Sequence, residues 1–582
     1  MRVAPILLLT LLIAAPTAQA QNAQYTAEEW RSAIDAQWGA GDETSLKLRV
    51  FDAWWNEINL RFGGFHGIDL DIQEMRSRYR PEVQAGVSAG RFSGIMTHFT
   101  FGLKELHTYL WDNRVRNTPM NRGVPMMVVG SYGDNRRFGA NLSVLPDSTL
   151  LVYETVPNHP AGLVPGDVVI GFDGERWVDI YPRLLDAELP LFLNPVHGNT
   201  DEVNYYYIMQ AAGLNWHLFE TMTVVKYSSG ETVQIPTSQL AGQTATIWGK
   251  DQIAPPGVPW PDRGAGDRVG WGVIDGTNIG LVTVTSWAFD AQFDIRARFE
   301  QAVDEMMHVH DVDGIIFDFR FNTGGGALAR EGLQLLFNTE VPTVGFDRRV
   351  AGGGHLEMEP DPSRREFNLV IRGDPATYFD KPIAILIGPG SISAGELEAR
   401  RMSFHPEARV FGLPAAGGNT GSDFISLGHT QWFVSRANSA QYLVSNHEYL
   451  THSPLLPDER VWFTREDAAN GVDTVIEAAK GWILTEMTAI ELPADLDMDL
   501  TVYPNPASSV FTATLSLEQA SRVQMTLFDS LGRRVGESWS SVFPAGVQRR
   551  VWRSDVALGP GVYFLHLETE QGRVVRSVVV TR

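Results

Sequence analysis

The sequence predicts a multidomain α/β protein: a helical N-terminal region, a small β-rich module, an α/β core with crossover connections, and a C-terminal β-sandwich. Three observations carry this. The chain has 582 residues, room for about three to five domains at roughly 100–200 residues each. At 44% hydrophobic and 20% charged residues it has the composition of globular protein, neither disordered nor fibrous. The period of its apolar residues also changes along the chain, from helical spacing to short β runs, then to strands alternating with helices, then back to alternating strands.

Taken in order, Arg2, the apolar run Ile6 to Ala15 and the small-x-small site Ala18-Gln19-Ala20 predict a signal peptide over 1–20, with the mature chain starting at Gln21. Over 21–125, Leu48, Phe51, Trp55 and Ile58, then Phe99, Leu103, Leu106 and Leu110, recur at helical spacing. Over 126–250 the runs "LVYETV" and "DVVIGFDG", joined by "PNHPAGLVPG", predict the β-rich module. The Pro- and Gly-rich "APPGVPWPDRGAG" is a linker or an ordered loop. Over 265–485 the strands "IGLVTVTSW", "GIIFDFR" and "PIAILIG" are interleaved with helices, as a parallel sheet requires. Over 498–582, "RVQMTLFD" and "GVYFLHLE" between Gly-containing turns predict the sandwich.

Forty-seven Lys+Arg against 69 Asp+Glu give a net charge of −22. Such a surface repels phosphate backbones and anionic lipid, so no nucleic-acid partner is expected. The absence of Cys excludes a thiol nucleophile, a disulfide framework and cysteine-ligated metals, and leaves a hydroxyl as candidate nucleophile. No second apolar run is long enough to span a bilayer, so no transmembrane segment is expected in the mature chain. His308-Val309-His310 lacks a third ligand at a recognised spacing, and no metal site is expected.

In "PIAILIGPGSISAGELEARRM" a buried strand ends in a Gly-Pro-Gly turn and Ser393 stands at the start of a helix. A helix N-terminus offers unpaired N–H groups and a positive dipole end to an alkoxide or oxyanion. Ser393 and Glu396 equally match the S-x-x-E capping box, a structural start signal. In "GIIFDFRFNTGGGA" the turn at Gly324, Gly325 and Gly326 could direct N–H groups at a bound atom, or serve only as a flexible strand-to-helix turn. Neither G-x-G-x-x-G nor a Walker Gly-Lys-Ser/Thr follows a strand, which disfavours nucleotide binding.

With "GIDLDIQEMRSRYRPEV" and "PAGLVPGDVVIGFDG" ahead of them, "DFRFNTGG" and "SISAGE" give an order of segments that resembles the C-terminal processing and tricorn-type serine peptidases. The resemblance implies a crotonase/ClpP-like α/β peptidase core, a PDZ-like module over 126–250, and hydrolysis of peptide or protein substrates through an acyl-enzyme without a cofactor. The family's nucleophile falls at Ser393. The Ser/Lys branch is excluded, because Gly418 stands where its Lys would fall and no Lys occurs between Lys381 and Lys480. The tricorn-type branch implies His107 of "FGLKELHTYL" as general base, although Glu105-Leu106 replaces the family's Asp and small residue. It implies Glu448 as orienting acid, with Glu459 as competitor, and an oxyanion hole from Ala394 and Gly324 or Gly325. Substrate contact in the PDZ-like module is expected around Leu163, Gly166 and Asp167, by strand addition. The altered context of His107 leaves an alternative, an inactive peptidase fold that binds peptide or apolar ligands. Finally, "LTVYPNPASSVF", "LFDSLGRRV" and "LGPGVYFLHLE" resemble the C-terminal sorting domain of the type IX secretion system. That resemblance implies engagement with its machinery and a secreted or surface-attached protein.

Overall fold

A computed structural model describes residues 26–118, 123–130, 138–193, 198–241, 253–261, 266–361, 370–490, 500–507, 510–517, 519–529, 534–536, 538–553, 558–559, 561–569 and 572–581. The expected signal peptide lies outside the described residues. The chain forms two compact units, Met1–Ile483 and Leu484–Arg582.

The first unit opens with four helices, Ala27–Trp38, Thr44–Arg61, Ile72–Ala85 and Ala89–Gly102. Three have side-chain caps: Thr26 with Glu29 as a complete capping box, Asp71 on Gln73 and Glu74, and Ser88 on Arg91. Phe51, Trp54, Ile58, Phe92 and Phe99 are buried together. The helical reading extends too far at its end. Residues Tyr109–Asp112 form a strand with alternating burial, paired antiparallel to Trp432–Ala437 in the register Tyr109↔Ser435. This long-range pairing fixes the segment that carries His107 against the core.

The β-rich module is an antiparallel sheet in the order 140–144, 150–155, 168–172, 221–225, 232–236. It also contains helices Trp177–Asp186 and Asp201–Gln210, which the β reading missed. In the first of these Trp177, Ile180 and Leu184 recur at helical spacing and are buried.

The α/β core is a sheet in the order 269–273, 279–284, 314–318, 383–387, 408–412, 459–460, antiparallel at the first pair and parallel thereafter. Ile279–Val284, Gly314–Asp318 and Ile383–Ile387 are buried at every position. A parallel sheet covered on both faces demands continuous apolar runs, which is why these strands are legible in the sequence. Two residues beyond the strand Gly314–Asp318, Arg320 is fully buried and bridges Asp318 (2.6 Å) and Asp473 (2.9 Å). Asp473 also receives the N–H groups of Val475 and Ile476, so it anchors the start of helix Thr474–Ile490 to the core.

The second unit has one antiparallel sheet ordered 500–503, 510–517, 546–553 and another ordered 539–543, 521–529, 561–569, 572–580. Phe511 and Leu515 of the first share a buried cluster with Met525, Leu527, Leu565 and Leu567 of the second.

Candidate active site

Strands Gly314–Asp318 and Ile383–Ile387 are parallel neighbours, so the loops leaving their C-terminal ends lie side by side, where α/β sheets form their ligand crevices. The second loop delivers Ser393 to the start of helix Ala394–Met402 with φ 56° and ψ −119°. A positive φ in a residue with a Cβ costs about 1–3 kcal/mol and is held only where the surroundings enforce it. Here the Ser393 N–H donates to the Gly417 carbonyl (2.9 Å). The Ser393 side chain makes no capping bond. Glu396 is fully buried and accepts instead from Arg400 (2.7 Å), Asn419 Nδ2 (2.9 Å) and the Leu455 N–H (2.9 Å). The capping box therefore does not form, and the hydroxyl has no partner among the described residues.

The glycine turn lies directly against Ser393: a Cβ on Gly324 would stand 2.8 Å from that of Ser393. The two glycines differ in what their N–H groups do. Gly324 donates to Asn322 Oδ1 (3.0 Å), so the expectation that it supplies an oxyanion contact is corrected by this inward turn. Gly325 has φ +135° and no partner for its N–H among the described residues, and the Ala394 N–H is likewise unengaged. At Gly325 a Cβ would lie 2.2 Å from the Trp287 and Ala288 backbone, so only glycine fits.

His107 Nδ1 lies 3.0 Å from Thr420 Oγ1, and Thr420 Oγ1 donates to Glu105 Oε1 (2.9 Å). The ring and the Glu105 carboxylate are 3.7 Å apart, an ion-pair distance that Thr420 bridges. Glu105 is fully buried and also accepts from the Thr108 hydroxyl (2.7 Å) and the His107 N–H (3.1 Å). Burial opposes its ionisation, but the adjacent His107, the Thr108 hydroxyl and the His107 amide prevail and hold its carboxyl at about 2. Gly418 has φ +84°, and a Cβ there would come within 3.1 Å of His107 Cε1 and 2.2 Å of Leu106. The imidazole thus occupies the space that a side chain at 418 would need.

Glu448 is not brought to His107. It is exposed and accepts from Asn446 Nδ2 (3.1 Å). Glu459 pairs with Arg409 (3.3 Å) on the surface. The carboxylate that stands beside His107 is that of Glu105, whose signal in the sequence is an acid two residues before the histidine. The expected peptide contacts are also corrected. Leu163 is buried in the core, Gly166 holds a φ of +89°, and Asp167 is buried with its carboxylate spent on the Val164 and Tyr227 N–H groups and Lys226. These residues hold a turn together. His308 pairs with Asp304 (2.9 Å), and among the described residues no group of three or more His, Asp and Glu is placed to hold a metal ion.

Ser393 and Ala394 line a cavity of about 510 Å³ with Gly325, Leu328, Leu397 and Gln441 among its other walls. Among the described residues, two unengaged N–H donors, a hydroxyl with no partner, and an imidazole that is backed by a carboxylate and touches Gly418 and Thr420 of the cavity wall form a set of groups that can carry out acyl transfer.

Comparison with known proteins agrees with that chemistry. Residues 278–461 match Peptidase family S41, and residues 501–581 match the secretion system C-terminal sorting domain. Residues 278–461 are thus similar to a serine-type peptidase family and residues 501–581 to a type IX sorting domain, and the protein is a serine-type hydrolase, secreted or attached to the cell surface. Among solved structures, mature CPAF complexed with lactacystin is 12% identical, covers 77% of this chain and 99% of its own, and superposes with a TM-score of 0.53. Mature CPAF gives 13%, 77%, 99% and 0.53. At these identities the likeness shows a shared fold. No curated protein matches the chain. Among the described residues no helix is long and apolar enough to cross a membrane.

Proposed function

We propose that this chain hydrolyses peptide bonds with Ser393 as nucleophile and His107 as general base, positioned by Glu105 acting through Thr420. The observation that carries the reading is the chain of contacts from Glu105 to His107. Glu105 is ionised and can only accept, so the single Thr420 proton goes to it. Thr420 then accepts from His107 Nδ1–H, and this network assigns the free lone pair to Nε2. A neutral imidazole in that tautomer is the form needed to take a hydroxyl proton. Residues 417–418 join the two partners: the Gly417 carbonyl holds the Ser393 N–H, and Gly418 packs against the His107 ring.

Ser393 Oγ bonds to the substrate carbonyl carbon as its proton passes to His107, and the oxyanion is met by the N–H groups of Ala394 and Gly325. His107 returns the proton to the leaving amine as the C–N bond breaks. Water, deprotonated by the same ring, then releases the acyl group. The 126–250 module, read as PDZ-like, presents extended peptide to this site, and the sandwich over 498–582 is what the type IX machinery recognises. Casein hydrolysis by the full chain, Ser393→Ala and His107→Ala tests the chemistry. Both variants are expected to fall to background while retaining wild-type circular dichroism. Residual activity in Ser393→Ala overturns the assignment.

A further inference from the structure

The β-rich module reaches the segments that carry both His107 and Ser393, and one residue does most of the joining. Asn199 is 1% exposed and stands just ahead of helix Asp201–Gln210. Its own segment is fixed to that helix: the Gly198 N–H donates to Asn204 Oδ1 (2.8 Å), and Thr200 caps the first turn by accepting from the Val203 N–H (3.3 Å). Each polar atom of Asn199 is then engaged with a segment outside the module. Its Oδ1 accepts from the Leu106 N–H (2.9 Å), its Nδ2 donates to the Thr451 carbonyl, its N–H donates to the Ala416 carbonyl (3.1 Å), and its own carbonyl faces His452 Nδ1 (2.9 Å).

Two of these partners are chain neighbours of the groups that matter. Leu106 directly precedes His107. Ala416 directly precedes Gly417, whose carbonyl holds the Ser393 N–H, and a Cβ on Gly417 would lie 2.9 Å from Asn199 Cβ and Cγ. The apolar packing follows the same pattern: Leu106, Ile392 and Ala416, which stand immediately before His107, Ser393 and Gly417, share one buried cluster with Val203 and Tyr207 of the module. The Tyr207 hydroxyl also donates to the Pro389 carbonyl (2.6 Å), in the turn that leads to Ser393. Base and nucleophile thus come from distant parts of the chain and are brought to register on one surface of the module. Proton transfer between them tolerates little displacement, since about 1 Å can cost roughly a hundredfold in rate. We infer that Asn199 is a positioning residue, which holds the Leu106–His107 backbone against residues 416–417 so that the imidazole stands in register with the Ser393 hydroxyl. The inference rests on the reading of Ser393 and His107 as the reacting pair, and it gives the module a part in catalysis besides presenting peptide.

The test compares the full chain with Asn199→Ala and Asn199→Asp in two assays: steady-state hydrolysis of an internally quenched peptide taken from a casein cleavage site, and the rate at which a serine-reactive phosphonate labels Ser393. Circular dichroism and the denaturant midpoint follow folding. Alanine withdraws both carboxamide contacts, whereas aspartate keeps the size and the acceptor for the Leu106 N–H and loses the donor to Thr451. Both variants are expected to lower the midpoint, so stability alone does not separate them. Asn199→Ala is expected to lower kcat and the labelling rate by about tenfold to a hundredfold with KM within about twofold, because Asn199 lies outside the cavity lining, and Asn199→Asp is expected to keep kcat within about threefold of wild type. If the alanine variant does not fold, Asn199→Ser, which shortens the side chain and withdraws the acceptor from Leu106, is read in its place. A kcat within about twofold of wild type in that variant, or equal losses in it and in Asn199→Asp, overturns the positioning role and leaves the peptidase reading standing. A wild-type chain that cleaves no peptide and whose Ser393 takes no phosphonate overturns both.

Discussion

Replacing Glu105 by Gln keeps the size of the side chain and removes its charge. In the proposed transition state His107 becomes an imidazolium, and the Glu105 carboxylate is 3.7 Å from its Nδ1. At an effective dielectric of about 20, unit charges at that separation attract by about 4 kcal/mol, and each 1.36 kcal/mol is tenfold in rate. Glu105→Gln should therefore lower kcat by roughly 10²- to 10³-fold. KM should change little, because Glu105 is fully buried and lies outside the cavity lining. Steady-state kinetics on a peptide substrate, with circular dichroism and a thermal melt to establish folding, measure both. Thr420→Val, which breaks the bridge, should lose roughly 10- to 10²-fold, and Thr420→Ser, which keeps the hydroxyl, should recover most of it. A Glu105→Gln enzyme within about threefold of wild type, or an equal loss in Glu448→Gln, would refute the relay.

Glu448→Gln is expected to stay within about twofold of wild type in kcat/KM, since its exposed carboxylate accepts from Asn446 at the surface. Gly325→Ala should abolish hydrolysis and lower Tm, because the added Cβ meets backbone at 2.2 Å and the φ of +135° is closed to alanine. Arg320→Met leaves Asp318 and Asp473 buried without their cation and should cost about 3–5 kcal/mol, read as a shift in the denaturant midpoint. Burial holds the His98 ring down at about 4, against an ordinary 6.5, with Glu188 partly offsetting it. The unfolded chain thus binds that proton more readily between those values, so stability falls as pH drops from 6.5 towards 4, by a few kcal/mol at most. A denaturant midpoint lower at pH 5 than at pH 7, with the difference reduced in His98→Gln, is the expected result; equal midpoints contradict it.

The parts of this molecule legible in the sequence are those whose physics is local. Ile383–Ile387 and Gly314–Asp318 are buried on both faces and so read as unbroken apolar runs, and the turns after them announce Ser393 and the glycines by composition. What the sequence concealed depends on contacts between distant segments. Tyr109–Asp112 reads as the end of a helix until Trp432–Ala437 pairs with it. Glu105 looked like a departure from the family pattern because its value comes from Thr420, 315 residues away. Gly324 and Gly325 are indistinguishable in sequence, yet the Asn322 carboxamide consumes one N–H and leaves the other. The S-x-x-E pattern at Ser393 predicted a cap equally well, and only the burial of Glu396 against Asn419 and Leu455 excludes it.

The central claim, a Ser393 hydroxyl activated by His107, is tested most directly by labelling the full chain with a serine-reactive phosphonate and mapping the adduct by mass spectrometry. One adduct on Ser393, lost in His107→Ala and slowed in Glu105→Gln, is the predicted result. Labelling at another residue, or labelling of Ser393 undiminished in His107→Ala, would contradict it.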